Sequence, residues 1–423
     1  MYLRRLFITL IALLILLGQY PLLAKQRADS TLMSYLTGEG LVSYDANEIT
    51  LYTNGHEKFC NLIADIDQAK KKIWIEYFIF ANDSIGTLVM NHLIQAAKRG
   101  CDVRIVTDYY KDRERHFGMS RPEFSDSLAQ FGVDFQMFDR YKYISFKNVA
   151  RDHRKIVAID DYIGYIGGLN IADYYINGNP AKYGGWRDAH IRITGPAVEG
   201  LASLFHKQYV ASGGKRPYTY NTNSTRNLFD SEADHPNTER VVYFERSREN
   251  RKKKAETRNA IIAAFDAAQD TIRLVSPYLI PTHTVRQALI RALDRGVHVE
   301  ILFSKVGDIE LISSGNYHFA QRLLRHGAHI YLYRGDFHHS KIIMVDDQFC
   351  MVGSANLNSR SLKWDYEASA FIFGSTTTNN LNRVFARDKQ YSDILSYKFY
   401  HENYSLLFLL KGWFADRILT PIL

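Results

Sequence analysis

Apolar positions along this chain switch between helical and strand periods, and the whole switching pattern occurs twice. Phe59, Leu62, Ile63 and Ile66 recur at helical spacing and lead into a β-rich run over residues 73–80. Residues 88–98 read as a second helix, Gly100 as its stop, and 103–106 as the next strand. The order then returns. Ile261, Ile262 and Phe265 share a helical face, 272–275 reads as a strand, 288–294 as a helix ended by Gly296, and 299–302 as a strand. Residues 97–103 and 293–299 align without a gap, so one unit is written twice. Strands alternating with helices predict an α/β fold with a largely buried sheet. Residues 212–217, followed by a Tyr-, Thr-, Asn- and Ser-rich stretch, read as a linker. This predicts a first unit over 40–211, a linker over 212–240 and a second unit over 241–400.

The two ends are patterned differently. Arg4 and Arg5 precede a charge-free apolar run over 6–17, with a polar break at 18–21. A basic flank and a short apolar stretch fit a secretory signal or an anchor. Leu22-x-Ala24 is a poor cleavage site, so residues 1–25 are expected to stay as an anchor. With Arg4 and Arg5 in the cytoplasm, one uncleaved span puts the rest of the chain on the outer face. At the other end, residues 401–423 carry Leu406 to Leu410, then Lys411, Trp413, Phe414, Arg417, Ile418 and Leu419. That run is too short to span. It fits either an interfacial segment, with Trp413 and Lys411 at head-group level, or a terminal helix docked on the core.

Composition narrows the class. Of 423 residues, 46% are hydrophobic and 23% charged, which excludes disorder and low complexity. Lys and Arg number 53 against 45 acids, a net charge of +8. Such a surface suits nucleic acid, anionic lipid or a phosphorylated substrate, or simply keeps the chain soluble. Residues 246–254 hold six basic residues and one acid, either a solvated helix start or a patch for lipid head groups. Three scattered cysteines without a C-x-x-C exclude a disulfide framework and a cysteine zinc site.

The candidate chemistry is also duplicated. His153, Lys155 and Asp160 form H-x-K-x-x-x-x-D, followed by Gly167-Gly168-Leu169-Asn170. His339, Lys341 and Asp346 repeat it, followed by Gly353-Ser354-Ala355-Asn356. One such motif is weak, but two at equivalent places in a repeated unit are specific. His and Lys two apart on a strand point to the same side. Two imidazoles and two ammonium groups, with an amide from each of Asn170 and Asn356, suit a phosphodiester. Lysines neutralise its oxygens, one neutral imidazole attacks phosphorus, and the other, protonated, serves the leaving oxygen. Lysines beside both histidines compete with a cation, so no catalytic metal and no cofactor is expected.

On these motifs the chain resembles the phospholipase D superfamily and, within it, the bacterial cardiolipin synthases. The resemblance also rests on residues 75–80, 151–155, 167–175, Trp186-Arg187-Asp188-Ala189-His190, 276–281, 353–361 and Glu367, and it covers nearly all of 40–423. It implies two tandem α-β-α domains packed as a pseudo-twofold dimer, with one active site at the seam. It implies a phosphohistidine on His153, with His339 as general acid. Each histidine is then held by a carboxylate of the opposite half, Glu367 for His153 and Asp188 for His339, and Ser354 joins Asn170 and Asn356 among the phosphate-binding or supporting residues. Asp160 and Asp346 complete the motif set, with a more structural part. Asn358 stands where the family often has Asp, and Asp365 where Asn is common. The implied reaction passes a phosphatidyl group between two phosphatidylglycerol molecules and releases glycerol at a bacterial inner membrane. No nucleic acid and no obligate protein partner is implied. The alternatives are a phospholipase D-type lipid hydrolase, a nuclease, and a non-catalytic lipid binder, which would not need an intact nucleophile and acid.

Overall fold

In a computed structural model, the described residues are 32–36, 38–109, 122–139, 150–179, 184–220, 238–247 and 256–420. The expected anchor over 1–25, most of the linker and nearly all of the basic run over 246–254 lie outside them. No described helix is long and apolar enough to cross a membrane.

The first half contributes β1 (Ser43–Tyr52), β2 (Lys72–Tyr77), β3 (Asp102–Asp108), β4 (Asp134–Phe138), β5 (Lys155–Ile159), β6 (Ile163–Gly167), the short β7 (Trp186–Arg187) and β8 (His190–Thr194). The second half contributes β9 (Glu239–Arg246), β10 (Thr271–Val275), β11 (His298–Ser304), β12 (His329–Tyr333), the short β13 (Phe337–His338), β14 (Ile342–Val345), β15 (Phe349–Gly353), β16 (Glu367–Phe373) and β17 (Ser392–Ile394). Strand order from the seam outward is β1-β8-β6-β5-β2-β3-β4 in the first half and β9-β16-β15-β14-β10-β11-β12-β17 in the second. The first seven strands of each order correspond one to one, β17 adds an edge strand to the second half, and antiparallel pairing of β1 with β9 joins the two into one sheet. The fold is therefore α/β with two like halves, as the repeat predicts, packed as a pseudo-twofold pair, as the family resemblance implies.

Each half buries β2, β5 and β6, or β14 and β15, on both faces, which explains their unbroken apolar runs. One face of the first-half sheet packs on the helices Gly55–Gln68 and Ser84–Lys98 through Phe59, Leu62, Ile66, Val89 and Leu93. A third cluster lies between the halves, where Ile156, Ile166, Ile191 and Ile193 meet Val241, Met344, Val352 and Ala370. The seam thus has an apolar core, with ion pairs such as Arg154–Glu245 and Lys207–Glu245 crossing it as well.

Two sequence boundaries shift. The stretch 32–36 puts Leu32 and Leu36 into the core of the second half, although it precedes the first. The expected linker begins as part of the first half. Arg216 pairs with Asp102 at 2.7 Å, and Tyr218 packs over Trp74 with ring centroids 5.8 Å apart.

Candidate active site at the seam

The backbone stitches each histidine to the opposite half. His153 N–H donates to the carbonyl of Tyr366 at 2.9 Å, and Tyr366 N–H donates to that of Arg151 at 2.8 Å. The residue after Tyr366 is Glu367. Symmetrically, β13 pairs in parallel with β7, and His339 N–H donates to the carbonyl of Arg187 at 2.7 Å, one residue before Asp188. Arg187, His338 and the helix residue Asp388 clamp this second crossing, with Asp388 2.8 Å from Arg187 and 3.0 Å from His338.

These crossings bring each imidazole onto a carboxylate of the other half. His153 Nδ1 lies 3.1 Å from both oxygens of Glu367, and His339 Nδ1 lies 2.7 Å from Asp188. An ionised carboxylate only accepts, so each Nδ1 carries the proton and each Nε2 keeps its lone pair. Burial pushes both carboxyls up, but the charges beside them win. His153 and Lys155 hold Glu367 below the ordinary range, and Lys341 and His339 do the same for Asp188. Burial lowers the His153 imidazole despite Glu367, and burial plus Lys341 pushes His339 down to about 3. Lys341 Nζ lies 2.7 and 2.9 Å from the two ring nitrogens of His339. Burial also brings Lys155 down to about 7 and Lys341 to about 8. Both amines donate to the carbonyl of the histidine two residues before them.

Around this centre stand Phe78, edge-on to His153 at 4.9 Å, and Trp186, Phe337 and Tyr278 at 4.8, 5.7 and 6.4 Å from His339. Such walls exclude water and strengthen the charges inside.

The remaining predicted residues divide. Ser354 Oγ–H donates to Glu367, so Ser354 orients that carboxylate and does not face a ligand phosphate. Its first-half counterpart is Gly168, where a Cβ would lie 2.0 Å from Asp188 Oδ1. Asn170 accepts from Ile79 N–H at 3.1 Å and donates to Tyr175, so its amide fixes the loop after β2. Asn356 is buried, donates to Ser361 at 3.4 Å, and its Oδ1 meets no hydrogen-bond partner among the described residues.

Asp160 and Asp346, grouped with the catalytic set on sequence, need correction. They sit at the far ends of β5 and β14, about 17 Å of strand from the lysines. Asp160 accepts the backbone N–H groups of Lys70, Lys71 and Lys72 at 2.7–3.0 Å. Asp346 accepts those of Gln269, Asp270 and Thr271, each at 2.8 Å. Both occupy left-handed backbone, φ 50° and 52°, in tight hairpin turns that Asp tolerates. They brace the repeat and do not touch the site. The two departures from the family pattern are also local. Asn358 accepts Ser361 N–H at 2.9 Å as a helix cap, which Asp does equally well. Asp365 accepts Arg151 N–H and the Arg360 guanidinium at 2.9 and 2.8 Å.

Sequence reasoning missed Lys58 and treated His190 only as part of a motif. Both are fully buried, and His190 senses the charges of both Lys58 and Lys155. Lys58 donates to Tyr77 at 2.9 Å, and neither ring nitrogen of His190 meets a hydrogen-bond partner among the described residues. Burial, then Lys58 and Lys155, keep His190 neutral. The signal for Lys58 was its phase, four residues before Leu62 on the apolar face of its helix.

Comparison with known proteins agrees with this architecture. The family model described as cardiolipin synthase, PLD-like domain, matches residues 62–180 and 261–389. A cardiolipin synthase of Listeria innocua is 31% identical over 398 residues, 92% of this chain and 78% of that one. Cardiolipin synthase 1 of Bacillus cereus is 31% identical over 382 residues, 90% of this chain and 73% of that one. The crystal structure of a phosphatidylserine synthase from Haemophilus influenzae covers 94% of this chain and 100% of its own, with a TM-score of 0.70 at 18% identity, a likeness of fold. With the family model matched in both halves and these relatives aligned across nearly its whole length, the chain belongs to the cardiolipin synthase family of phospholipase D-like proteins.

Proposed function

We propose that the chain is a cardiolipin synthase that joins two phosphatidylglycerol molecules through a phosphohistidine. The observation that carries this is the crossed pair: two imidazoles, each bound through Nδ1 to a carboxylate of the other half, with Lys155 and Lys341 beside them. His153 Nε2 attacks phosphorus, the P–O bond to glycerol breaks, and His339 gives a proton to the departing oxygen. His339 then takes the proton of the terminal hydroxyl of a second phosphatidylglycerol. That oxygen attacks phosphorus, the P–N bond breaks, and His153 is free again. Glu367 and Asp188 stabilise the imidazolium of each step.

His339 must be charged to act first as an acid, yet burial, and then Lys341, suppress that charge. The phosphodiester supplies the remedy. Its oxygens draw the Lys341 ammonium away and add negative charge, so His339 gains its proton when substrate is present. Among the described residues no amine is drawn onto the His153 ring in this way, and Lys155 instead donates to the His153 carbonyl, which suits His153 to attack. In this reading residues 1–25 anchor the protein at the bacterial cell membrane with the site on the outer face.

The deciding experiment feeds phosphatidylglycerol to the purified protein, with chelator present, and separates the products. Cardiolipin and free glycerol are expected, and labelled phosphate should be trapped on wild type but not on His153→Ala. Phosphatidic acid as sole product makes it a hydrolase. Cleavage of single-stranded DNA without lipid turnover makes it a nuclease. Trapping that survives His153→Ala and disappears in His339→Ala reverses the two roles.

A further inference from the structure

The C-terminal helix Leu406–Phe414 and its wider-wound continuation Ala415–Leu419 turn two different sides to the protein and to the outside. Their inner side combines the apolar packing of Phe408 and Leu409 with a buried charge. Asp416 is 2% exposed and pairs with Arg286, with His318 at 2.9 Å and with Arg322 at 3.5 Å. Gly412 lets the helix lie against the helix Glu310–Leu324, since a Cβ there would meet the Ser314 carbonyl at 2.5 Å. The outer side is apolar. Leu406, Leu407, Leu410, Trp413, Phe414 and Ile418 are 44–72% exposed. They recur at helical spacing and share that side with the exposed Arg417. A buried ion cluster and the packing of Phe408 and Leu409 hold the helix while Leu406, Leu407 and Leu410 face outward.

The buried side of this helix packs toward the site. Ala415 and the side chain of Ile280 both flank Gly315, within 3.0 and 2.5 Å of where its Cβ would be. Ile280 lies two residues after Tyr278, which faces His339 and donates to Asp308 at 2.7 Å. Val306 and Ile309, also exposed, continue the apolar surface beside the pair that Lys411 forms with Glu310 at 2.8 Å. Leu32 and Leu36 share the core of this same half with Tyr404, Phe408 and Leu409.

We propose that this terminal helix is a membrane-docking element, whose outer face lies in the interface of an anionic bilayer and holds the mouth of the site over the lipid head groups. The proposal rests on the reading that the substrate is a phospholipid. Three features select a bilayer over a second copy of the chain: a tryptophan and an arginine on the leucine stripe, a net charge of +8, and continuity with a site built for lipid phosphate.

The test uses the full chain in phosphatidylglycerol–phosphatidylethanolamine vesicles, with and without lipids brominated on the acyl chain. The Trp413 signal is the difference between wild type and Trp413→Phe. Bromolipid is expected to quench at least half of that signal, and the vesicles should shield it from iodide. An unquenched, iodide-accessible Trp413 overturns the proposal. So does an unquenched Trp413 in a dimer that Leu410→Glu dissociates, which would give the face to a second copy. In turnover, Leu407→Glu/Leu410→Glu should lose about tenfold on vesicles while staying within about twofold on short-chain phosphatidylglycerol dispersed as monomers. An equal response to both substrates overturns the docking role. Quenching is read without turnover. A quenched Trp413 with no cardiolipin formed would sink the enzymatic reading alone, and the opposite result would sink only docking.

Discussion

Binding of a tetrahedral anion at the site should make the protein take up protons. Burial brings Lys155 to about 7 and Lys341 to about 8, and burial with Lys341 brings His339 to about 3. Sulfate is a suitable probe, because its own charge is constant across this range. A bound dianion raises all three groups, the lysines past 9 and His339 toward its ordinary ~6.5. At pH 8 the two lysines are about 0.1 and 0.5 protonated before binding, so binding should take up about 1.4 protons. At pH 6 both lysines are already charged and His339 supplies most of an uptake of about 0.9. The sign follows. Groups with higher pKa values in the bound form make sulfate bind more tightly as pH falls through 8 and 7. Calorimetry in buffers of different ionisation enthalpy reads the proton number as a slope. Lys155→Arg should remove about 0.9 of the uptake at pH 8 and leave pH 6 nearly unchanged, whereas His339→Gln should do the reverse. A slope near zero at pH 8 would mean the lysines keep their ordinary values, and the argument from burial would fail. An undiminished slope at pH 6 in His339→Gln would remove the reason for making His339 the acid.

Three further outcomes test the supporting structure. Asp160→Ala strips the acceptor from three backbone N–H groups and should cost about 2 kcal/mol in urea unfolding. Turnover per folded molecule should be unchanged, and a selective loss of kcat would return Asp160 to the catalytic set. Gly168→Ala places a methyl group 2.0 Å from Asp188 Oδ1, so it should lower kcat about a hundredfold or more while leaving Glu367 and His153 paired. Burial, with Glu367 nearby and against Arg360, brings the Asp365 carboxyl up to about 6. Ionising it in the folded state therefore costs about 3 kcal/mol, absent below pH 4 and complete above pH 6. Asp365→Asn should gain Tm relative to wild type across that window, and a pH-independent difference would contradict it.

What the sequence made legible follows the range of each interaction. His153 and Lys155 share a strand face because two residues separate them, a local fact, and the repeat supplied the second pair. The carboxylates that hold the histidines lie 214 and 151 residues away, so no period or spacing could pair them and only the family resemblance did. Asp160 failed in the opposite way. Its fixed place in the motif looked chemical, yet five residues of extended chain carry it to the other end of the sheet. Ser354 and Asn170 also looked aimed at a ligand, but their partners, Glu367 and Ile79, are tertiary neighbours.

The C-terminus shows the same limit most directly. Its hydrophobic period allowed either a docked helix or an interfacial one, because a period reports that two faces differ and never which one is covered. Asp416 settled the covered side, through Arg286 on one helix and His318 and Arg322 on another. Those partners are invisible to any window of sequence around residue 416. Helix and seam then share one device. In both, a carboxylate is buried against cations from distant chain. Removing one partner strands the others in a poor solvent, so the geometry is held tightly. At the seam this aligns two imidazoles from different halves. At the terminus it keeps an apolar face turned toward water, an arrangement that gains free energy only when something apolar covers that face.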